Sequence, residues 1–244
     1  MIDSTPTLFD ENYQYFQQIA RAGKFSVPWW SARFYAQMTR RYAPRAASRR
    51  VLDVGCAFGG VLKNLERDFE THGIDISEYA IRVARANLPR AHLRVSDAST
   101  LHDYPREHFH AIVSKHVFEH LAQPGETLKD CARALTRGGV LIFGTPNADN
   151  PLKKLKGAQW IGIKDASHIS VLPPAEWLAL TRAAGLKIAH AFSDGFWDVP
   201  YLPRVPALLQ LPLFAIPAAL QVLVGVPFLP VKWGESLIVV ARKE

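Results

Sequence analysis

Residues 51–60 read VLDVGCAFGG. An apolar run from Val51 to Val54 carries one acid, Asp53, and then breaks into a loop holding Gly55, Gly59 and Gly60. A continuous apolar run closed by glycine suits a strand buried on both faces of a parallel sheet. The glycine turn that follows would offer backbone N–H groups to a nucleotide-like ligand at the strand end. The spacing is G-x-x-x-G, from Gly55 to Gly59, whereas a dinucleotide site needs G-x-G-x-x-G so that backbone can approach a pyrophosphate. Asp53 would repel a pyrophosphate and favour a ligand bearing an ammonium group. Both features count against a nicotinamide-dependent oxidoreductase.

Outward from this stretch, strand and helix patterns alternate. Strands are expected at Val51–Val54, Thr71–Ile76, His92–Val95, His110–Ser114, Val140–Phe143, Lys187–Phe192 and Ser236–Ala241. Helices are expected at Val61–Arg67, Glu78–Asn87, Glu126–Leu135, the last stopped by Gly138 and Gly139, and Pro174–Ala184. The order is that of a doubly wound α/β sheet. Before it, Trp30, Phe34, Met38 and Tyr42 recur every four residues and mark one apolar stripe of a helical cap.

Two further acids follow strand ends. Asp75, in GIDIS, can accept both hydroxyls of a ribose, and Asp97, in VSDAS, can approach an adenine amino group. Adenosine with a cationic amino-acid tail is S-adenosylmethionine. The chain resembles the class I S-adenosylmethionine-dependent methyltransferases, in the bacterial small-molecule and glycoconjugate subgroup, through VLDVGCAFGG, GIDIS, VSDAS, IVSKHVFEHL and LTRGGVLIFGTPN, in the family's order. The resemblance implies a seven-stranded, mostly parallel sheet with its last strand, SLIVVARK, antiparallel. It also implies S-adenosylmethionine as donor, with Asp53, Gly55, Cys56 and Gly59 at the methionine moiety. Asp75 and Ile76 would meet ribose and adenine, Asp97 and Ala98 the adenine, and Ser114 with Lys115 the outer wall. Asp97 as a helix cap and Gly60 as a helix-packing position are the structural alternatives.

One domain is expected: a helical cap over 1–48, a donor-binding core over 49–194, an apolar helical insertion over 195–231 and a final strand over 232–244. Between Val205 and Val231 the chain carries no charge, yet prolines interrupt it repeatedly. That pattern favours short apolar helices in an interface over one membrane-spanning helix. A lid over an apolar substrate, a membrane-surface anchor and a homodimer contact remain open.

Methyl transfer requires alignment and exclusion of water, and a base only where the acceptor is an un-ionised hydroxyl or a protonated amine. His116, Glu119, His120 and His168 are the candidates. Glu119 and His120 are assigned a structural role, and His168 ranks first as base, oriented by Asp165, with His116 second. The acceptor pocket is expected from the cap, the loop 151–169 and the insertion 195–231. Tyr13, Trp29, Trp30, Lys153, Lys154, Lys156 and Trp160 would suit an amphiphilic, anionic, small or lipid-linked acceptor at the inner membrane face.

The formal charge of +7 is concentrated early: Arg21, Lys24, Arg33, Arg40, Arg41, Arg45, Arg49 and Arg50 occur between Asn12 and Leu52 without an acid. A basic arm of this kind suits phosphates or anionic headgroups. Nucleic acid is disfavoured, because SKHV stands where base-flipping methyltransferases resemble D/N-P-P-Y/F. A non-catalytic scaffold is the remaining alternative. The opening MIDSTPTLFDENYQYF lacks the pattern of a secretory signal, so a cytoplasmic location is expected. Cys56 and Cys131 fit no disulfide framework or metal spacing, and no metal site is expected.

Overall fold

The computed structural model describes residues 9–244; the first part of the opening segment, residues 1–8, lies outside the described residues. Two helices lead in, α1 (Gln14–Arg21) and α2 (Val27–Tyr42). Ser26 caps α2 by accepting from the Trp29 N–H, with Pro28 in its first turn. The alternating core follows: β1 (Arg50–Val54), α3 (Gly60–Leu65), β2 (Glu70–Asp75), α4 (Glu78–Asn87), β3 (His92–Val95), β4 (Phe109–Lys115), α5 (Pro124–Ala134) and β5 (Leu135–Pro146). Short turns α6 (Lys153–Lys156) and α7 (Ile161–Lys164) precede α8 (Pro174–Ala183), β6 (Leu186–Ser193), α9 (Ala207–Val224) and β7 (Ser236–Lys243).

The seven strands form one sheet in the order β3-β2-β1-β4-β5-β7-β6. Strands β1 to β5 run parallel, and β7 is inserted antiparallel between β5 and β6, as the resemblance implies. Helices cover both faces. Phe34, Met38, Leu62 and Ile81 pack on one side, and Leu128, Cys131 and Trp177 on the other. Such double coverage explains why the strands read as unbroken apolar runs.

Two expectations need correction. Gly138 and Gly139 do not stop α5, which ends at Ala134; they lie inside β5, where the register against β4 jumps between Phe109 and Ala111. Gly138 has φ 74°, so the pair forms a bulge that a side chain would strain. The apolar insertion is also not a set of short helices. It is one 18-residue helix, α9, that runs through Pro212 and Pro217.

The polarity of α9 is inverted. Its only polar side chains, Gln210 and Gln221, are 1% and 0% exposed, whereas Leu208, Leu213 and Leu223 are 75%, 67% and 64% exposed. Gln210 accepts from the Tyr201 and Leu202 N–H groups and donates to the carbonyls of Leu202 and Val205. Gln221 accepts from the Phe228 and Leu229 N–H groups and donates to the Ser193 carbonyl. Each glutamine therefore satisfies loop backbone that would otherwise be buried without partners. The two anchors tie α9 to the fold on either side of Pro212 and Pro217.

Candidate functional site

The opening stretch ends where expected, at the carboxyl edge of the sheet. Gly55 and Cys56 both donate their N–H to the Ile74 carbonyl, which bends the chain after β1 across the end of β2. Gly55 has φ 74°, and a Cβ there would lie 2.2 Å from Val117 Cγ2, so the turn requires glycine.

Asp75 terminates β2 and braces this turn. Its Oδ2 accepts from the Ala57 N–H at 2.8 Å and its Oδ1 from the Ser77 N–H at 2.9 Å. Each carboxylate oxygen keeps a further acceptor site, which suits a pair of ribose hydroxyls. Asp53 is buried in β1, and burial, with Asp75 nearby, pushes its carboxyl up to about 7 despite Lys115. Ile76 is exposed just past β2, an apolar face of the kind an adenine ring covers.

Other expected donor contacts are redistributed. Cys56 turns its side chain into the core beside Leu62 and Gly73, leaving only its backbone near the turn. Asp97 caps the turn that begins at Ala98, accepting from the Ser99 N–H at 2.7 Å. Ser114 Oγ is buried without a hydrogen-bond partner among the described residues, as is Thr145 Oγ1 at the end of β5. Lys115 donates to the Tyr15 hydroxyl at 3.2 Å.

Helix α1 closes over the glycine turn. Phe16 stacks on Phe58 at 5.5 Å and approaches Tyr79 at 6.2 Å, covering Ala57 and Ala80. The Tyr13 hydroxyl donates to Asp165 Oδ2 at 2.6 Å, tying α1 to the loop after β5. The aromatic set was present in the sequence, but only folding shows it meeting the glycine turn.

The histidines divide into two groups. His116 has φ 54°; its Nδ1 meets Glu119 Oε1 at 3.0 Å and its Nε2 meets Ser236 Oγ at 3.2 Å. Ser236 in turn donates to Asp194 Oδ2 at 2.7 Å. Both ring nitrogens of His116, expected as the second candidate base, are thus engaged within the fold. His168 keeps a freer ring, with Nδ1 3.3 Å from the Gly162 carbonyl. Asp165 does not orient it directly, because that carboxylate is occupied by Tyr13 and by the Ser167 N–H and Oγ.

His168 packs edge-on against His120 at 4.7 Å, and His120 Nδ1 meets Ser167 Oγ at 2.9 Å. Glu119 lies beneath, fully buried, with Oε2 unpartnered among the described residues. Burial would raise its carboxyl, but the His116 hydrogen bond and the surrounding histidines outweigh that and hold it below the usual range. One ligand atom each from Glu119, His120 and His168 falls within 4.8 Å of the others. No spacing in the sequence predicts this convergence, since His168 comes from a distant loop.

The expected acceptor wall also changes. Trp160 is buried and donates to Glu235 Oε2 at 3.1 Å, while Lys156 pairs with Asp198 at 2.9 Å. Trp29 and Trp30 pack against Phe25, with Arg33 over Trp29.

The sequence profile described as "methyltransferase domain" matches residues 29–191. The chain belongs to the class I, S-adenosylmethionine-dependent methyltransferase family. The ubiquinone biosynthesis O-methyltransferase of Thiobacillus denitrificans is 32% identical over 155 residues, covering 58% of this chain and 66% of that protein. A probable S-adenosylmethionine-dependent methyltransferase of Mycolicibacterium smegmatis is 26% identical over 198 residues, covering 69% of this chain and 75% of the relative. Matches to the first two curated relatives thus span only 66% and 62% of their lengths. A solved S-adenosylmethionine-dependent methyltransferase from Archaeoglobus fulgidus superposes with a TM-score of 0.65 at 18% identity, covering 95% of this chain and 100% of that one, and supports the fold. The methyltransferase family brings S-adenosylmethionine as its donor, and the acid pair around the glycine turn fits that cation.

Proposed function

We propose that the protein transfers a methyl group from S-adenosylmethionine to an amphiphilic, lipid-linked acceptor presented at the inner face of the cytoplasmic membrane. The single observation that carries the acceptor class is the inverted polarity of α9, whose leucines face outward while both glutamines face in. At 1.5 Å per residue the helix is about 27 Å long, and it is apolar enough by length and composition to cross a bilayer. Gln221 and Val222 fix one flank to the fold, which favours a helix lying in the interface. Exposed Arg204 before it and Lys232 with Trp233 after it suit an anionic headgroup layer and its aromatic belt.

When bound, S-adenosylmethionine supplies an electrophilic methyl on a sulfonium. Asp53 would hold the ammonium end and Asp75 the ribose. Helix α1, through Phe16 and Tyr13, would exclude water. A hydroxyl acceptor is favoured by the O-methyltransferase names of the relatives. His168 would take its proton at Nε2, because an Nδ1–H donated to the Gly162 carbonyl leaves Nε2 as the acceptor nitrogen.

The test has two arms. Calorimetry with S-adenosylmethionine, its demethylated product and NAD, against Asp75→Ala, should give binding of the first two that the variant loses. Absence of binding by folded wild type would overturn the donor assignment. Flotation with anionic and neutral vesicles should recover wild type on anionic ones, and Leu208→Gln/Leu213→Gln/Leu223→Gln should abolish this. Equal, poor flotation on both, or concentration-dependent dimerisation lost in the triple variant, would overturn the membrane reading.

A further inference from the structure

A second cluster of chemistry-bearing side chains stands at the opposite edge of the sheet. Strand β2 begins at Glu70 and the edge strand β3 at His92, and the parallel register places His72 opposite His92. Alternation along β2 puts Glu70 and His72 on one face. His72 Nε2 lies 3.0 Å from Glu70 Oε1, and His92 Nε2 lies 3.6 Å from the same oxygen. The two imidazoles lie face to face at 4.6 Å, and His108 approaches His72 edge-on at 5.8 Å.

We propose that Glu70, His72 and His92 form a binding site for a divalent transition-metal ion, with Zn2+ as the fitting case, that staples β3 to β2. One ligand atom from each residue falls within 4.8 Å of the others, and turning the stacked imidazoles about their χ2 bonds would aim all three at one ion. Imidazole nitrogen and carboxylate oxygen bind Zn2+ at about 2.0–2.2 Å, and sites with three protein ligands leave a fourth position for water. His108 packs edge-on against His72 and would support that ring from outside. A set of two imidazoles and one carboxylate suits zinc or a neighbouring borderline ion and does not suit Mg2+ or Ca2+.

The strand that would gain most is β3. Among the described residues it lies at the edge of the sheet and pairs only with β2, over the four positions His72 to Asp75. It is followed directly by Ser96 and Asp97, where the adenine wall is expected. His72 precedes Asp75 by three residues, about 10 Å along the strand. Metal binding there would be independent of donor binding and of the methyltransferase reading.

The experiment uses untagged full-length protein titrated calorimetrically with Zn2+, with Co2+ as a spectroscopic probe of nitrogen ligation. Wild type should bind one ion at this site with a raised thermal midpoint. His72→Gln/His92→Gln should weaken that binding at least about ten-fold while leaving S-adenosylmethionine affinity unchanged. His120→Gln/His168→Gln separates the other cluster and should leave this ion bound. If the first double variant folds poorly, Glu70→Gln and His92→Gln at exposed positions replace it. No binding by wild type, binding indifferent to Glu70, His72 and His92, or binding lost only with His120 and His168 would each overturn the proposal.

Discussion

Tyr13 and Asp165 are 152 positions apart, yet the tyrosine hydroxyl donates to the Asp165 carboxylate at 2.6 Å. The bond joins α1, which covers the glycine turn, to the loop that carries Ser167 and His168. Burial first, and then Asp165, pushes the Tyr13 hydroxyl pKa well up, so it remains a donor throughout the physiological range. On the donor and acceptor placement proposed above, this bond should control how long the donor is retained. Tyr13→Phe removes one hydrogen bond to a charged group, worth about 1.5–3 kcal/mol. S-adenosylmethionine should dissociate roughly ten-fold faster by stopped-flow. An unchanged off-rate would show that α1 is not the gate.

Asp53 supplies the second expectation. Its carboxyl, raised to about 7, is partly protonated near neutrality in the free protein. An approaching ammonium group favours the charged form and expels that proton. Donor affinity should therefore rise as pH increases from about 6 to 8 and then level off. Calorimetry in phosphate and in Tris should give binding enthalpies that differ by the fraction of a proton released multiplied by the difference between the two buffers' ionisation enthalpies. Asp53→Asn should remove that difference along with most of the affinity, and equal enthalpies for wild type in the two buffers would refute the linkage.

The parts legible in sequence were those with a local or periodic cause. VLDVGCAFGG and GIDIS announce a buried strand, a tight turn and a terminal acid, and Asp75 braces that turn as its place suggests. The extent of α4, Glu78–Asn87, follows from its Ser77 cap. What stayed hidden depends on distant partners. The Ser236–His116–Glu119 chain draws on β7, and the anchoring of α9 depends on loop backbone reaching Gln210 and Gln221. Proline count argued for broken helices, yet α9 runs through Pro212 and Pro217. The metal-type clusters escaped because parallel register, which no spacing rule encodes, brings His72 to His92.

The glutamine anchors yield an inverted stability expectation. Gln221→Leu would make α9 more apolar and raise its helix-forming content slightly. It would also leave the Phe228 and Leu229 N–H groups and the Ser193 carbonyl without partners. Each buried, unpaired group costs about 1–3 kcal/mol. The substitution should destabilise the protein by about 3 kcal/mol or more in urea denaturation, after allowing for relaxation. Leu223→Gln, on the exposed face of the same helix, should change stability by less than about 0.5 kcal/mol. Equal effects at the two positions would contradict the inverted polarity.

Glu235 provides a pH test of the fold. Its carboxylate accepts from the Trp160 indole at 3.1 Å and from the Tyr201 hydroxyl, joining the loop after β5 to the segment before α9. Burial, reinforced by Asp194 and Asp198, raises its pKa to about 7 against the lowering effect of Tyr201. The folded state therefore holds a proton that the unfolded chain releases near its ordinary value of about 4.3. This contribution is fully present below that value and is lost as pH rises toward about 7, because the unfolded state binds fewer protons across the window. Glu235→Gln keeps a hydrogen-bonding group of the same size without the titration. Wild type minus variant stability should fall between about pH 4.5 and 7 by an amount on the order of 3 kcal/mol, and then stay flat. The difference isolates Glu235 from Asp53, which is raised in the same direction. A difference that does not vary with pH would mean that Glu235 is already ionised in the folded protein, held by its two donors alone.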